Sequence, residues 1–291
     1  MSKNKYILYT LLVMLLWGTL FPVVKLGYSV YNILTTGDIL FFAGIRFTIC
    51  GLVISMYAFI TDKHSFKNAV LSIIPILLSG LFAIILHYSF TYSALKLTDS
   101  SKTAILKQVG VLFYVCFSFV FFKEDKLNLK KLIGVSLGFV GIIAINTNLS
   151  GISFNLGDVF IIAASFCTVF SNIISKKIFN TVNPITSTGI SQFFGGLVLL
   201  IIGKLMGGSM SFALNQSAFI FVYICIASIF SYTIWYVVVK NGELSKLFII
   251  KFAEPVFACI FGAILLNENI FNIQYILAFL LIATGIYISH K

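Results

Sequence analysis

Five ionisable side chains stand inside long apolar runs of this sequence: Arg46, His87, Lys107, Lys251 and Glu254. A charge buried in lipid is costly, so each must either bind something or be held by a structural partner. Arg46, in ILFFAGIRFTICG, lies about ten residues into its run, roughly 15 Å deep at 1.5 Å per residue. It either bonds helix carbonyls or lines a cavity. Lys107 and Lys251 each lie about five residues from the start of a run, where a lysine can snorkel to the surface or point inward. Glu254 follows Lys251 by three residues, so the two share a helix face and are expected to form an ion pair. That makes Glu254 a protonatable or ammonium-binding group. His87 titrates near neutral pH and can relay protons. The aromatic residues near it, Tyr88 and Tyr92, and their later counterparts Tyr232, Trp235 and Tyr236, read as interfacial anchors by residue type alone. Trp17 sits mid-run, a turn before Pro22, whose missing N–H bends a helix. Gln192 and Asn172 are weaker polar candidates. The expected substrate site is therefore Trp17, Arg46, His87, Tyr88, Lys107, Tyr232, Trp235, Lys251 and Glu254, with Glu254 and His87 as candidates for proton coupling.

Other chemistries lack their residues. There is no HExxH, no GxSxG and no buried aspartate pair; Asp38 and Asp158 stand at span starts, where an acid favours the helix N-terminus. Cys50, Cys116, Cys167, Cys225 and Cys259 are scattered singly in apolar runs and read as small core residues, not as metal ligands or disulfides. No enzyme, cofactor or metal is expected.

The elements that position these groups are set by hydropathy. The 291 residues are 59% hydrophobic and 10% charged, with mean hydropathy +1.05, against roughly 25% charged in a soluble domain. Apolar runs of about 20 residues cross a bilayer as helices, because every backbone polar group must be satisfied within the segment. Ten spans are expected, near residues 6–24, 37–60, 71–95, 102–122, 130–147, 157–178, 185–206, 217–239, 246–266 and 272–289. The N-terminal run lacks a small-residue cleavage site and is expected to be retained. The net charge of +11 does not indicate nucleic acid. Most lysines fall in alternate short segments, among them Lys63, Lys67, Lys130, Lys131, Lys176, Lys177 and Lys240, which the positive-inside rule assigns to the cytoplasm together with both termini.

A shift of 144 positions places Tyr88 on Tyr232, Tyr92 on Tyr236, Lys96 on Lys240, Asp99 on Glu243, Ser101 on Ser245, Lys107 on Lys251, Glu124 on Glu268 and Gly141 on Gly285. The chain thus reads as two copies of one unit, residues 1–148 and 149–291, joined through the turn-like link NTNLSGISFNLG. Five spans per copy is an odd number, so the copies are expected to be inverted. That arrangement is a signature of secondary transporters with a site near the midplane. Two positions break the match. Glu254 falls on Gly110, and Pro255 falls on Val111, which predicts unequal halves there. Gly134, Gly138 and Gly141, and their counterparts Ala278 and Gly285, read as helix-packing positions.

The elements WGTLFPVVK and FFAGIRF, and the paired ends FFKEDKLNLKKLIGVSLGFVGIIAI and LLNENIFNIQYILAFLLIATGIYI, resemble the EamA-type members of the drug/metabolite transporter superfamily. The resemblance covers almost the whole chain. It implies an all-α integral membrane fold of ten helices, in two inverted five-helix repeats around a central cavity. By the same resemblance, helices three, four, eight and nine with parts of one, two, six and seven surround the cavity, helices five and ten are peripheral, and Glu124 and Glu268 are helix-end structural residues. The sequence departs from the family at Val111, where a proline is common, and in the buried Lys107, Lys251 and Glu254. The reading that results is a multi-pass secondary transporter of the cytoplasmic membrane, a monomer or homodimer, with a small-molecule substrate, the lipid bilayer and protons as partners. Export of an amino acid or related zwitterion is the first choice. Uptake or exchange of an anionic metabolite and efflux of lipophilic cations are the alternatives.

Overall fold

The computed structural model describes residues 3–123, 126, 128–148, 151–152, 155–211, 216–269 and 273–290. Apart from a two-residue antiparallel pairing of β1 (Thr147–Asn148) with β2 (Gly151–Ile152), its regular elements are helices. In the first half these are α1 (Lys3–Val30), α2 (Thr36–Thr61), α3 (Lys63–Leu71), α4 (Ile73–Gly80), a π-helical turn (Leu81–Leu86), α5 (His87–Leu97), α6 (Ser100–Leu106), α7 (Val109–Phe121) and α8 (Leu129–Asn146). The second half has α9 (Leu156–Ile178), α10 (Pro184–Leu205), α11 (Gln216–Asn241), α12 (Leu244–Ile250), α13 (Ala253–Leu266) and α14 (Ile273–His290). Among the described residues, seven segments are long and apolar enough to cross a membrane: 5–30, 36–61, 73–97, 156–178, 184–205, 218–241 and 244–266. The other three expected spans correspond to α6 with α7, to α8 and to α14, which are shorter helices. Glu124 lies outside the described residues.

Local chemistry fixes several boundaries. Thr35 caps α2 by accepting from the Asp38 N–H while the Asp38 carboxylate accepts from the Thr35 N–H, and Asn155 and Asp158 repeat this box at α9. Both acids thus do the helix-start work expected of them. Pro22 sits inside α1, which is one continuous helix. Small residues let helices meet at backbone distance. A Cβ on Gly51 of α2 would lie 2.1 Å from the Phe193 nitrogen of α10, and one on Gly285 of α14 would lie 2.6 Å from the Gly134 carbonyl of α8. Accordingly α2 packs most extensively on α10, and α8 packs chiefly on α14. Cys50, Cys167, Cys225 and Cys259 are free thiols in the interior.

Two breaks at matching places shape the centre. α6 ends at Leu106 and α7 begins at Val109; α12 ends at Ile250 and α13 begins at Ala253. At each break the chain tightens to i→i−3 bonding, Gln108 N–H to Ile105 at 2.9 Å and Phe252 N–H to Ile249 at 3.1 Å. Pro255 cannot donate to the Lys251 carbonyl, which accepts from Glu254 N–H instead at 2.9 Å. The first half breaks without a proline: Val111 and Leu112 both donate to the Gln108 carbonyl. The inequality expected from Val111 is therefore absent from the backbone.

Polar contacts tie the helix ends together at two places. At one end, Lys25 pairs with Asp99 at 3.2 Å and Lys102 with Asp158 at 2.9 Å. There too the Glu268 carboxylate accepts from the N–H and hydroxyl groups of Ser100 and Ser101, which makes it the structural clamp expected. At the other end Lys131 pairs with Glu243 at 2.5 Å, and Asn183 donates to Asp62 at 3.2 Å.

Candidate functional site

Nine predicted residues converge on one interior region that has two lobes. One lobe is lined by Trp17, Arg46, His87, Tyr88, Lys107 and Glu254 with Phe21, Thr91 and Tyr92. The second is lined by Trp17, His87, Tyr88, Lys107, Tyr232, Trp235 and Lys251 with Thr168, Ser171, Asn172 and Tyr236. Trp17, His87, Tyr88 and Lys107 border both. The lobes leave about 30 and 20 Å³ for water-sized spheres. Since one water needs roughly 10–15 Å³ by that measure, an organic solute enters only if the helices move.

The aromatic residues are not surface anchors. Tyr88, Tyr92, Tyr232, Trp235 and Tyr236 are all buried. Tyr88 and Tyr232, equivalent under the 144-residue shift, hydrogen-bond to each other through their hydroxyls at 2.6 Å. Trp17 makes tilted and edge contacts with Trp235 and Tyr232 at 5.2 and 5.5 Å, so α1 and α11 meet through rings.

The charges are paired differently from the simplest sequence reading. Glu254, fully buried, accepts from Lys107 at 3.1 Å, across the two breaks and across the two halves of the chain. The expected pair with Lys251 is not formed, because the break turns that lysine elsewhere. Its ammonium lies 5.2 Å from the Trp17 ring, 5.2 Å from Trp235 and 5.1 Å from Phe248. Neither lysine snorkels: Lys107 also sits 5.1 Å above Phe21, and Lys251 is buried. The second Glu254 oxygen is buried without a partner among the described residues. Glu254 has no counterpart in the first half for a steric reason. A Cβ on Gly110 would lie 2.6 Å from the Ser165 carbonyl, so α7 touches α9 where α13 carries its acid.

Arg46 is fully buried, and its partners are side-chain hydroxyls, not the helix carbonyls of the structural reading. Its Nε and Nη2 donate to Ser228 Oγ at 2.9 and 2.6 Å, Nη1 donates to the Tyr92 hydroxyl, and the guanidinium lies 4.7 Å over Phe47 while bordering the first lobe. No carboxylate lies within 4.0 Å of it among the described residues. His87 follows directly on the π-helical turn. Its Nδ1 is 3.0 Å from the Ala164 carbonyl and 2.9 Å from Thr168 Oγ1. With its proton on Nδ1 the ring donates to that carbonyl, and without it Nδ1 can accept from the Thr168 hydroxyl, so the pocket suits either tautomer.

Sequence reasoning missed Ser228, Phe248 and the site role of Tyr92. Their signal was helical spacing: Ser228, Ser231, Tyr232 and Trp235 recur at three- and four-residue intervals along one face of α11. Asn172 is in the site, accepting from Trp235 Nε1 at 2.7 Å. Gln192 is not; it is buried in α10 with neither amide atom paired among the described residues.

The sequence profile of the EamA-like transporter family matches residues 4–147 and again residues 155–290. The chain belongs to the EamA-like transporter family. Among its relatives, this EamA-like chain is 27% identical over 289 residues to the uncharacterized transporter YoaV of Bacillus subtilis (strain 168), covering 95% of this chain and 94% of the relative. It is 26% identical over 305 aligned positions to a probable amino-acid metabolite efflux pump of Escherichia coli (strain K12), covering 99% and 95%. It is 23% identical over 271 residues to the uncharacterized inner membrane transporter YedA of Escherichia coli (strain K12), covering 90% and 83%. A solved crystal structure superposes with a TM-score of 0.77 at 18% identity over 99% of this chain and 97% of the other, which shows the fold. This EamA-like chain is thus a multi-pass membrane protein and a transporter of small molecules, not an enzyme.

Proposed function

We propose that this EamA-like chain is a secondary transporter of the cytoplasmic membrane that exports an amino acid or a related zwitterion by alternating access. The observation that carries the reading is the buried Lys107–Glu254 pair at 3.1 Å, formed between the two helix breaks beside Trp17 and Lys251. A zwitterion has one group for each of those charges. The proposal includes ten spans in two inverted repeats, residues 1–148 and 149–291, with both termini cytoplasmic. The Tyr88–Tyr232 hydrogen bond supports it, since residues equivalent under the 144-residue shift meet there, as do the breaks at matching places in α6–α7 and α12–α13. Glu254, with one oxygen free of partners among the described residues, is the proposed proton-coupling group, and His87 the proposed relay. The relative named as a probable amino-acid metabolite efflux pump favours export. Arg46, without a carboxylate beside it, favours a second reading in which the solute is an anionic metabolite.

The test is thermal unfolding of the purified protein with amino acids, carboxylates, phosphorylated metabolites and lipophilic cations. A ligand at a hundredfold excess over its Kd stabilises by about 2.7 kcal/mol. Stabilisation of the wild type by an amino acid, lost in Lys107→Gln, is expected. Stabilisation by lipophilic cations alone, unchanged in that variant, overturns the reading.

A further inference from the structure

Three aromatic rings surround one ammonium group at the centre of this molecule, and the ammonium belongs to the protein. Trp17 comes from α1, Trp235 from α11 and Phe248 from α12. Lys251 Nζ lies 5.1 to 5.2 Å from all three ring centroids. The two indoles meet at 5.2 Å and 55°, and Trp235 meets Phe248 at 6.4 Å and 76°, so the rings enclose the cation from different sides. Such cages attract organic ammonium ions, most strongly when water is excluded, and all four residues here are buried.

A lysine with an acid three residues away ordinarily pairs with it. Here Glu254 pairs with Lys107 at 3.1 Å instead, and Lys251 has no ion pair within 4.0 Å among the described residues. Two further groups beside the cage are unsatisfied. The Trp17 indole N–H is buried without an acceptor, and Glu254 Oε2 is buried without a donor, among the described residues. A buried polar atom left without a partner calls for an explanation.

Resting on the zwitterion reading, we propose that the Trp17, Trp235 and Phe248 cage is the subsite for the substrate's ammonium group, and that Lys251 is its resident occupant, displaced toward Glu254 when substrate binds. The exchange balances. Glu254 gives up Lys107 for Lys251, the substrate ammonium takes the cage, and the substrate carboxylate takes the freed Lys107 together with the orphaned Trp17 N–H. No charge is left alone, because a neutral zwitterion adds one ion of each sign. Lys251 then also acts as a filter, since a simple cation brings no carboxylate to compensate Lys107 and cannot complete the swap.

The chain has two tryptophans, and both are cage walls, so intrinsic tryptophan emission reads this site directly. The experiment titrates tetramethylammonium into the purified full-length protein and follows that emission in the wild type, Lys251→Met and Lys251→Arg. Vacating the cage is expected to create saturable binding in Lys251→Met, with a Kd lower than any wild-type response by about tenfold or more; Lys251→Arg, still filled, behaves as wild type. A folded Lys251→Met protein that does not respond overturns the proposal. If that variant does not fold, Lys251→Gln takes its place, and the wild type supplies a separate check, because a full response there means that the cage is not occupied by Lys251. Failure of the amino-acid reading is seen separately, as no amino acid stabilising the wild type while tetramethylammonium still binds the vacated cage.

Discussion

Glu254 has two lysines near it and pairs with one of them. Lys107 holds it at 3.1 Å while Lys251, one turn back, is held by rings. The two partners are therefore not equivalent on removal. Glu254→Gln leaves two buried ammonium groups without a counter-charge, and is expected to destabilise the protein by about 3–5 kcal/mol, the cost of an uncompensated buried charge. Lys107→Gln is expected to cost clearly less, because Lys251 can turn to the acid. Thermal unfolding of both variants checks this, and equal losses would show that Lys251 does not exchange partners. The ionisable residues were legible in the sequence because a charge in an apolar run stands out; their pairing was not. The i,i+3 rule assumes a continuous helix, and the tightened turn at Lys251 and Phe252 removes that assumption. Likewise, Tyr88 and Trp235 have the residue types of interfacial anchors, and only the tertiary packing tells a buried ring from a surface one.

At the scale of elements, the breaks in α6–α7 and α12–α13 bring both lysines to the centre, and the pieces on either side are held by contacts at the helix ends. Glu243, in the turn before α12, joins α12 to α8 through Lys131 at 2.5 Å and also pairs with Lys246 at 2.7 Å. Burial opposes its ionisation, but hydrogen bonds and attraction from Lys131 and Lys246 outweigh this and hold it at about 2, below its usual 4.5. A carboxyl more acidic in the folded state contributes stability that is fully present above its ordinary value and is lost as pH falls from there through about 2. Thermal unfolding between those limits should therefore fall more steeply for the wild type than for Glu243→Gln; parallel curves would mean that the Lys131 contact adds no stability. Seven of the ten expected spans match helices long and apolar enough to cross a membrane among the described residues, and these were readable from hydropathy. The break within the fourth expected span was not, because Val111 carries no proline signal, whereas Pro255 stands beside the later break.

For the whole molecule, the repeat was visible as a run of matched charged and aromatic residues at one spacing, and the Tyr88–Tyr232 bond is the structural feature that best accords with it. The interior volume was not readable in this way, since a cavity is the residue of how helices pack. With space for only a few waters among these side chains, the proposed alternating access requires the two halves to move against each other. The central claim is that the charges around Lys107, Lys251 and Glu254 carry a zwitterion across the bilayer. Exchange of radiolabelled amino acids by the protein in sealed vesicles tests it most directly. The account predicts that at least one amino acid exchanges and that Glu254→Gln abolishes the exchange while the protein remains folded. Exchange carried only by an anion or a lipophilic cation, and unaffected by Glu254→Gln, would contradict it.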